Sequence, residues 1–363
     1  YKLSHGLNLF FIPKYIKIDS IYKEELFVNK EKNTVSSIAD ALGVSRATVS
    51  RALNNAPGVG AELRKKILDY SEQIGYKTNS TPSCISVEKE KIIGLVFGDI
   101  QNPFYSDLAY YVQKTLNAHG YAVIIFNSEY DSEKELQFIE MADKFQFAGL
   151  LLFTTQTNMD YLHLQMKKFP IVFVNRFLDL QNYDSVISDN FQAGYMAAMH
   201  LIELGHKRLG FISGHRYSSA SVRRMEGFKQ AIKNCFLPVR EEDFWEGDLK
   251  MSTGSELARQ FLNQDSRPTG IAIANDMMAL GFLDYCKSVH FSVPENLSIV
   301  SFDDIIFSKL NGIELTTVSQ HGKEMGEKAA ELILRRIQTP DAEYKKIILD
   351  PTLIVRGSTA PCK

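Results

Sequence analysis

From Lys91 onward the chain repeats one rhythm: a short apolar run, then eleven to sixteen residues whose apolar positions recur at helical spacing. The apolar runs predict strands at 92–97, 122–126, 149–153, 171–174, 208–212, 270–274 and 298–302. All are far shorter than the ~20 residues needed to span a bilayer, so no membrane segment is expected. Helices are predicted between them at 105–119, 132–145, 158–168, 191–204, 221–234, 253–263 and 276–288, with one more at 322–337. Terminal strands are predicted near 346–349 and 352–355. Strands alternating with helices of this length predict parallel sheets with right-handed crossovers, an α/β fold. Two successive runs of about equal length predict two lobes. The first covers about 91–188 plus 320–338, and the second about 189–319 plus 340–358.

Upstream the rhythm is purely helical. Val35, Ile38, Ala39 and Leu42 fall at i, i+3, i+4 and i+7 behind Thr34, which is suited to cap a short helix. Gly43 ends it, Val44 fills the junction, and Ser45 caps a second helix over 46–53. Two helices joined by a three-residue turn containing glycine predict a helix-turn-helix. A third helix is marked by Leu63, Ile67, Leu68 and Ile74, with Arg64, Lys65 and Lys66 on its other side, and it stops at Gly75. The chain thus divides into an unstructured extension over 1–32, a helix-turn-helix domain over 33–77, a hinge over 78–90 and a two-lobed domain over 91–358.

The 363 residues have an ordinary globular composition, which excludes a disordered, collagenous or disulfide-scaffold chain. The net charge of −2 conceals an asymmetry. Residues 1–85 carry twelve Lys and Arg against eight Asp and Glu, a net +4, while residues 86–363 carry −6. A basic piece precedes an acidic one. Cys84, Cys235, Cys286 and Cys362 are scattered without a C-x-x-C pair, so no zinc or redox motif is predicted, and reduced thiols fit a cytoplasmic protein. Residues 1–32 contain one short apolar patch with no small-residue cleavage site, which fits an extension better than a secretory signal.

The second short helix presents Arg46 and Ala47 at its start and Arg51 one turn on, with Ser45, Thr48 and Ser50 as short donors. A helix that reads the major groove needs this arrangement. Arginine forks onto guanine, alanine touches a thymine methyl, and hydroxyls at the helix start hold phosphate. The run Thr34-Val35-Ser36-Ser37-Ile38-Ala39-Asp40-Ala41-Leu42-Gly43-Val44-Ser45-Arg46-Ala47-Thr48-Val49-Ser50-Arg51-Ala52-Leu53-Asn54 resembles the headpiece of the lac repressor and galactose repressor (LacI/GalR) family of bacterial transcriptional regulators. The resemblance adds Thr34, Asn54, Tyr76, Asn79 and Ile85 to the expected DNA contacts. It also implies a hinge helix that orders on the operator and wedges an apolar side chain into the minor groove. Gly75, Tyr76 and Asn79 match the family pattern, whereas Thr78, Pro82 and Ser83 depart from it. Ile85 keeps the bulk a wedge requires, so the hinge is expected to order more weakly than in relatives.

In an open parallel sheet, ligands bind beyond the carboxyl ends of strands. Polar and aromatic residues there are Asp99, Asn102, Phe104, Asn127, Ser128, Asn175 and Arg176, and in the second lobe Ser213, Arg224, Asn275, Asp276, Asp303 and Asp304. Asp276 and Asp304 are expected to cap helices. This region also resembles the same family's effector domain, which is similar to periplasmic sugar-binding proteins, through Asp99–Tyr105, His200–His206, Arg224–Phe228, Ala274–Gly281 and Ser301–Asp304. The resemblance places the family's ligand-binding arginine at Arg224, its aspartate at Asp303, its asparagine at Asn275, and its Asp-Arg pair at Asn175-Arg176. The aromatic side chain of Phe104 or Tyr105 suits stacking on the apolar face of a sugar ring, while Leu249 stands where some relatives have tryptophan. The expected effector site comprises Asn102, Phe104, Tyr105, Asn127, Asn175, Arg176, Arg224, Asn275 and Asp303.

Enzyme signatures are missing. Gly210-Phe211-Ile212-Ser213-Gly214 places its serine one residue too late for a nucleophile elbow, no phosphate-binding glycine loop occurs, and no H-x-x-x-H pair is present. No metal or cofactor is expected. The sequence reads as an effector-controlled DNA-binding regulator, most simply a repressor. It is expected to work as a homodimer on pseudopalindromic operator DNA, because one helix-turn-helix reads one half-site. A sugar or sugar derivative is the first effector reading, with a nucleoside or purine corepressor, or a solute-binding protein without regulatory role, as alternatives. No leucine heptads follow Ser358, so dimers rather than tetramers are expected.

Overall fold

The computed structural model describes residues 34–53, 56–74, 90–154, 159–176, 178 and 182–363. They fall into two compact units, one within Tyr1–Val87 and one within Glu88–Lys363. The expected extension over 1–32, the hinge residues 78–89 and the end of the third helix at Gly75 lie outside the described residues.

The first unit holds three helices. α1 (Val35–Leu42) is opened by a reciprocal cap: the Thr34 hydroxyl accepts from the Ser37 amide at 3.2 Å, and the Ser37 hydroxyl accepts from the Thr34 amide at 2.9 Å. Gly43 ends it at φ 64°, a conformation that costs a residue without Cβ nothing. α2 (Arg46–Leu53) and α3 (Ala61–Gln73) close over Ile38, Ala39, Val49, Ala52 and Ile67. Leu68 departs from the expected core and stands 43% exposed. It lies about 100° around the helix from Ile67, whereas Leu63, Ile67, Tyr70 and Ile74 share the inward stripe.

The second unit contains two six-stranded sheets. The first runs in the order β11-β5-β4-β3-β1-β2, from β1 (Glu90–Phe97), β2 (Ala122–Asn127), β3 (Phe147–Leu152), β4 (Ile171–Val174), β5 (Asp184–Ser188) and β11 (Lys346–Leu349). The second runs β12-β10-β9-β8-β6-β7, from β6 (Leu209–Ser213), β7 (Phe244–Glu246), β8 (Gly270–Ile273), β9 (Ser298–Asp303), β10 (Thr316–Ser319) and β12 (Thr352–Ile354). Every neighbouring pair is parallel except β10 with β12.

Strand alternation decides which layer each side chain meets. Ile93, Leu95, Phe97 and Leu151 pack with α4 (Pro103–Ala118) and α11 (Gly322–Gln338). Val96, Leu150 and Leu152 pack with α5 (Ser132–Lys144) and α6 (Met159–Met166). In the second lobe Phe211, Ile271, Ile299 and Phe302 pack with α7 (Asn190–Glu203), α8 (Ser219–Asn234), α9 (Met251–Leu262) and α10 (Asp276–Ser288).

Three strands differ from the expectation. β7 has only three residues, and β10 and β5 are rich in polar residues that hide the apolar signal. Asp184 of β5 is buried because the Arg336 guanidinium donates to it at 2.6 Å and the Lys345 amide at 2.8 Å. The assignment of all of 340–358 to the second lobe is corrected. β11 pairs with β5 in the first sheet, and only β12 joins the second. The chain therefore crosses between lobes three times: at Asp189, at Gln320-His321 and at Asp350-Pro351.

Helices α7 and α8 approach backbone to backbone. A Cβ at Gly194 would sit 1.8 Å from the Arg224 carbonyl oxygen, and one at Gly227 would sit 1.9 Å from the Phe191 carbonyl oxygen. This contact fixes the height of Arg224 above the sheet. Gly227→Ala is expected to force the helices apart and cost about 1–3 kcal/mol, lowering the urea midpoint at unchanged slope. An unchanged midpoint would show that the helix contact yields freely.

Candidate functional site

Two surfaces emerge, one in each unit. On α2, Arg46, Ala47, Ser50 and Arg51 are exposed together. The Ser45 hydroxyl accepts from the Thr48 amide at 3.1 Å and lies 2.8 Å from the Thr48 hydroxyl, so both residues shape the helix start. Thr34 is engaged in capping α1. Asn54, Tyr76, Asn79 and Ile85, with the hinge departures Thr78, Pro82 and Ser83, lie outside the described residues.

The second surface is a cavity between the lobes, lined by Asn102, Phe104, Tyr105, Asn175, Arg176, Ser218, Ala220, Ser221, Arg224, Leu249, Asn275, Asp303 and Gln320. Eight of the nine expected effector residues meet there. Asn127 is the exception and is corrected: its side-chain oxygen accepts from the Ile100 amide at 3.1 Å, which ties the loop after β1 to the loop after β2.

Each lining residue is placed by its local backbone. The Asn102 side chain caps α4 by accepting from the Phe104 amide at 3.0 Å, which leaves Phe104 and Tyr105 buried at the first turn. Asn275 caps α10, accepting from the Met278 amide at 3.0 Å, and its amide nitrogen donates to the Leu249 carbonyl at 2.9 Å. Asn175, Leu249, Asp303 and Asp304 have φ of 54°, 70°, 115° and 57°, a region that side chains occupy only when their surroundings hold them there.

Arg224 is buried, and its guanidinium is met on several sides. Nε donates to the Asn190 side-chain oxygen at 2.8 Å, Nη1 donates to the Ala274 carbonyl at 2.6 Å and lies 3.7 Å from Asp303, and the Phe302 ring lies 4.8 Å away. Arg176 donates to the Ser218 hydroxyl at 3.2 Å, and Asn190 donates to the Asn175 side-chain oxygen at 3.3 Å, so polar groups join across the cleft. Gln320 donates to Asp303 at 2.5 Å, while its own carbonyl oxygen is buried without a hydrogen-bond partner among the described residues.

The capping expectation for two other aspartates is corrected. Asp276 is buried and accepts from Ser308 at 2.5 Å, from Thr317 at 2.7 Å, from the Ile305 amide at 2.9 Å and from Ser301. It pins the loop that carries Asp303, and Asn275 takes the capping role. Asp304 pairs with Arg356 at 2.6 Å. Ser213, Asp99 and Ser128 are engaged with neighbouring backbone. Ser218, Ser221 and Gln320 were not anticipated. Gln320 follows β10, so recognising that strand would have exposed it, and Ser218 and Ser221 stand at the start of the helix after β6.

The cavity measures about 30 Å³, room for only a few water molecules. Two guanidinium groups, one carboxyl and several amides form its lining. That set both donates and accepts, and it suits a ring bearing several hydroxyls. Burial pushes the Asp303 carboxyl up to about 7, against the opposing pull of Arg224.

Comparison with known proteins gives matches along both units. Residues 34–79 match the family described as bacterial regulatory proteins, lacI family, and residues 90–354 match the periplasmic binding proteins and sugar binding domain of LacI family. The chain is 30% identical over 334 residues to the HTH-type transcriptional regulator DegA of Bacillus subtilis, covering 91% of this chain and 99% of that one. It is 30% identical to the transcriptional repressor PurR of Actinobacillus pleuropneumoniae over 90% of this chain and 98% of that one. A LacI family regulator from Enterococcus faecium with bound ribose superposes with a TM-score of 0.69 at 28% identity, covering 75% of this chain and all of that one.

The raised Asp303 pKa has a stability consequence. An unfolded aspartate ionises near pH 4, so between about pH 4 and 7 the folded chain holds a proton that the unfolded chain releases. Stability from this group therefore falls as pH rises through that window. Urea unfolding of the wild type against Asp303→Asn is expected to show the difference moving in favour of the wild type as pH falls from 7.5 to 4.5. Parallel pH profiles would contradict the assignment.

Proposed function

The chain belongs to the lacI family of bacterial regulatory proteins, as a transcriptional regulator with an effector-binding domain, and we propose that its effector is a sugar or sugar derivative held between the two lobes. The convergence of eight residues from both lobes on one cavity carries this reading. Planar guanidinium and amide groups pair with neighbouring hydroxyls, Asp303 accepts from them, and Phe104 and Tyr105 offer an apolar face. The Gln320 side-chain oxygen, without a partner among the described residues, provides one more acceptor for a ligand hydroxyl. The relative with bound ribose favours the same chemistry.

At about 30 Å³ the cavity is far smaller than the several hundred Å³ of a typical ligand pocket. Entry therefore requires the cross-cleft bonds from Arg176 to Ser218 and from Asn190 to Asn175 to open, and binding exchanges them for bonds to the ligand. The lobes respond to the effector because it changes which contacts bridge them.

In this reading α2 reads a half-site of operator DNA with Arg46, Ala47 and Arg51, supported by Ser45, Thr48 and Ser50. Two copies pair through the effector lobes in the cytoplasm on pseudopalindromic DNA. Support for pairing comes from β2, an edge strand that leaves Ile124 and Ile125 about 40% exposed, and from Tyr110 of α4 at 58%. No catalytic step belongs to this function.

A thermal-shift screen against sugars, sugar phosphates, nucleosides and purines tests the effector class. A sugar at a hundred times its Kd is expected to stabilise by about 2.7 kcal/mol. Arg224→Lys, which keeps the charge and loses the fork, is expected to lose at least tenfold in affinity while retaining its melting transition. A shift given by nucleosides or purines alone would contradict the sugar reading. For the DNA surface, Arg46→Ala is expected to cost about 1–3 kcal/mol and to relax preference at one base position. A uniform loss over all operator variants would instead make Arg46 a phosphate contact.

A further inference from the structure

All three crossings between the lobes leave strands at one side of the cleft: β5 and β11 are neighbours at one edge of the first sheet, and β10 and β12 at one edge of the second. The opposite edges are β2 and β7. Tyr130 lies in the loop after β2, and His215 lies in the loop after β6, beside β7. Their rings meet with centroids 5.1 Å apart and planes inclined at 55°, so this contact joins the lobes from loops on the side of the cleft away from the crossings.

Tyr130 is built into its place. Glu129 and Tyr130 have φ of 55° and 59°, and the turn is fixed by the Ser128 amide donating to Phe97 at 2.8 Å and the Asp131 amide donating to Ser128 at 2.9 Å. The ring packs against Gly98, where a Cβ would come within 2.2 Å of it. Tyr105 and Arg176 are both close enough to its hydroxyl to act on it electrostatically. Tyr105 and Arg176 line the cavity, whereas Tyr130 and His215 do not.

We propose that Tyr130 and His215 are positioning residues that clasp the open end of the cleft, hold the lobes closed over the pocket, and set Tyr105 and Arg176 against the effector. A contact far from a hinge is stretched most when the hinge opens, so a modest ring pair placed there governs opening more than the same pair near Gln320. The inference rests on the cavity being the effector pocket, but its test needs no effector.

Hydrogen exchange of the full chain without added ligand, read by mass spectrometry, measures opening at segments 99–105 and 214–221. Tyr130→Ala and His215→Ala are each expected to speed exchange on both lobes by about two- to tenfold. The double variant is expected to do no more than either single one, β3 and β8 are expected to stay unchanged, and His215→Phe, which keeps a ring, is expected to restore protection. Multiplying effects in the double variant, no change on the lobe opposite the substitution, or faster exchange in β3 and β8 would each overturn the clasp. Its failure would leave the effector reading standing, and a failed ligand screen would leave this measurement unaffected.

Discussion

A guanidinium taken out of water must be answered by the groups around it, and in this protein that requirement organises the cleft. Arg224 reaches the ends of β8 and β9 through Ala274 and Asp303, and reaches α7 through Asn190. Asn190 in turn holds Asn175 of the opposite lobe. Breaking a buried pair strands a charge, at a typical cost of about 3–5 kcal/mol. Arg224 can therefore keep one arrangement with the cleft closed on itself and adopt another with a ligand, and both must satisfy the same nitrogens. The glycine contact between α7 and α8 holds the arginine at the height where both are within reach.

Strain accompanies this arrangement. Asn175, Leu249, Asp303 and Asp304 all sit at positive φ around the cleft, and such residues cost about 1–3 kcal/mol each, which the surrounding contacts must offset. The four-fold hydrogen bonding of Asp276 anchors the loop that bears two of them. Asp276 does not line the cavity, yet its bonds to Ser301 and the Ile305 amide hold the chain on either side of Asp303.

Much of this was legible in the sequence, because parallel strands advertise themselves as apolar runs and their carboxyl ends face a common cleft. Periodicity located β1, β4, β8 and β9 to within two residues, and the resemblance picked out Arg224, Asn275 and Asp303. The misses have physical causes. β5 and β10 bury polar side chains, among them Asp184 and Thr317, which distant partners hold, so no local hydrophobic signal marks the strands. β11 belongs to the first lobe although only two residues, Asp350 and Pro351, separate it from β12, and no sequence signal marks a crossing that short. Asn127 has the right chemistry at the right end of a strand, but its oxygen is already bound by the Ile100 amide. Leu68 was misplaced by one position on a helix, where one residue turns the side chain through 100°.

A small basic headpiece and a large acidic sensor share one chain, so effector binding matters only if it reaches the DNA. By linkage, a ligand shifts operator affinity only as far as its affinities for two lobe arrangements differ, typically by five- to 150-fold. The most direct measurement is fluorescence anisotropy of the full chain on a pseudopalindromic operator duplex at fixed salt, with and without a saturating concentration of the sugar that stabilises it. A change of at least about fivefold in Kd, lost in Arg224→Lys, is the predicted result. An identical Kd with and without the bound sugar would contradict control of DNA binding through this cleft.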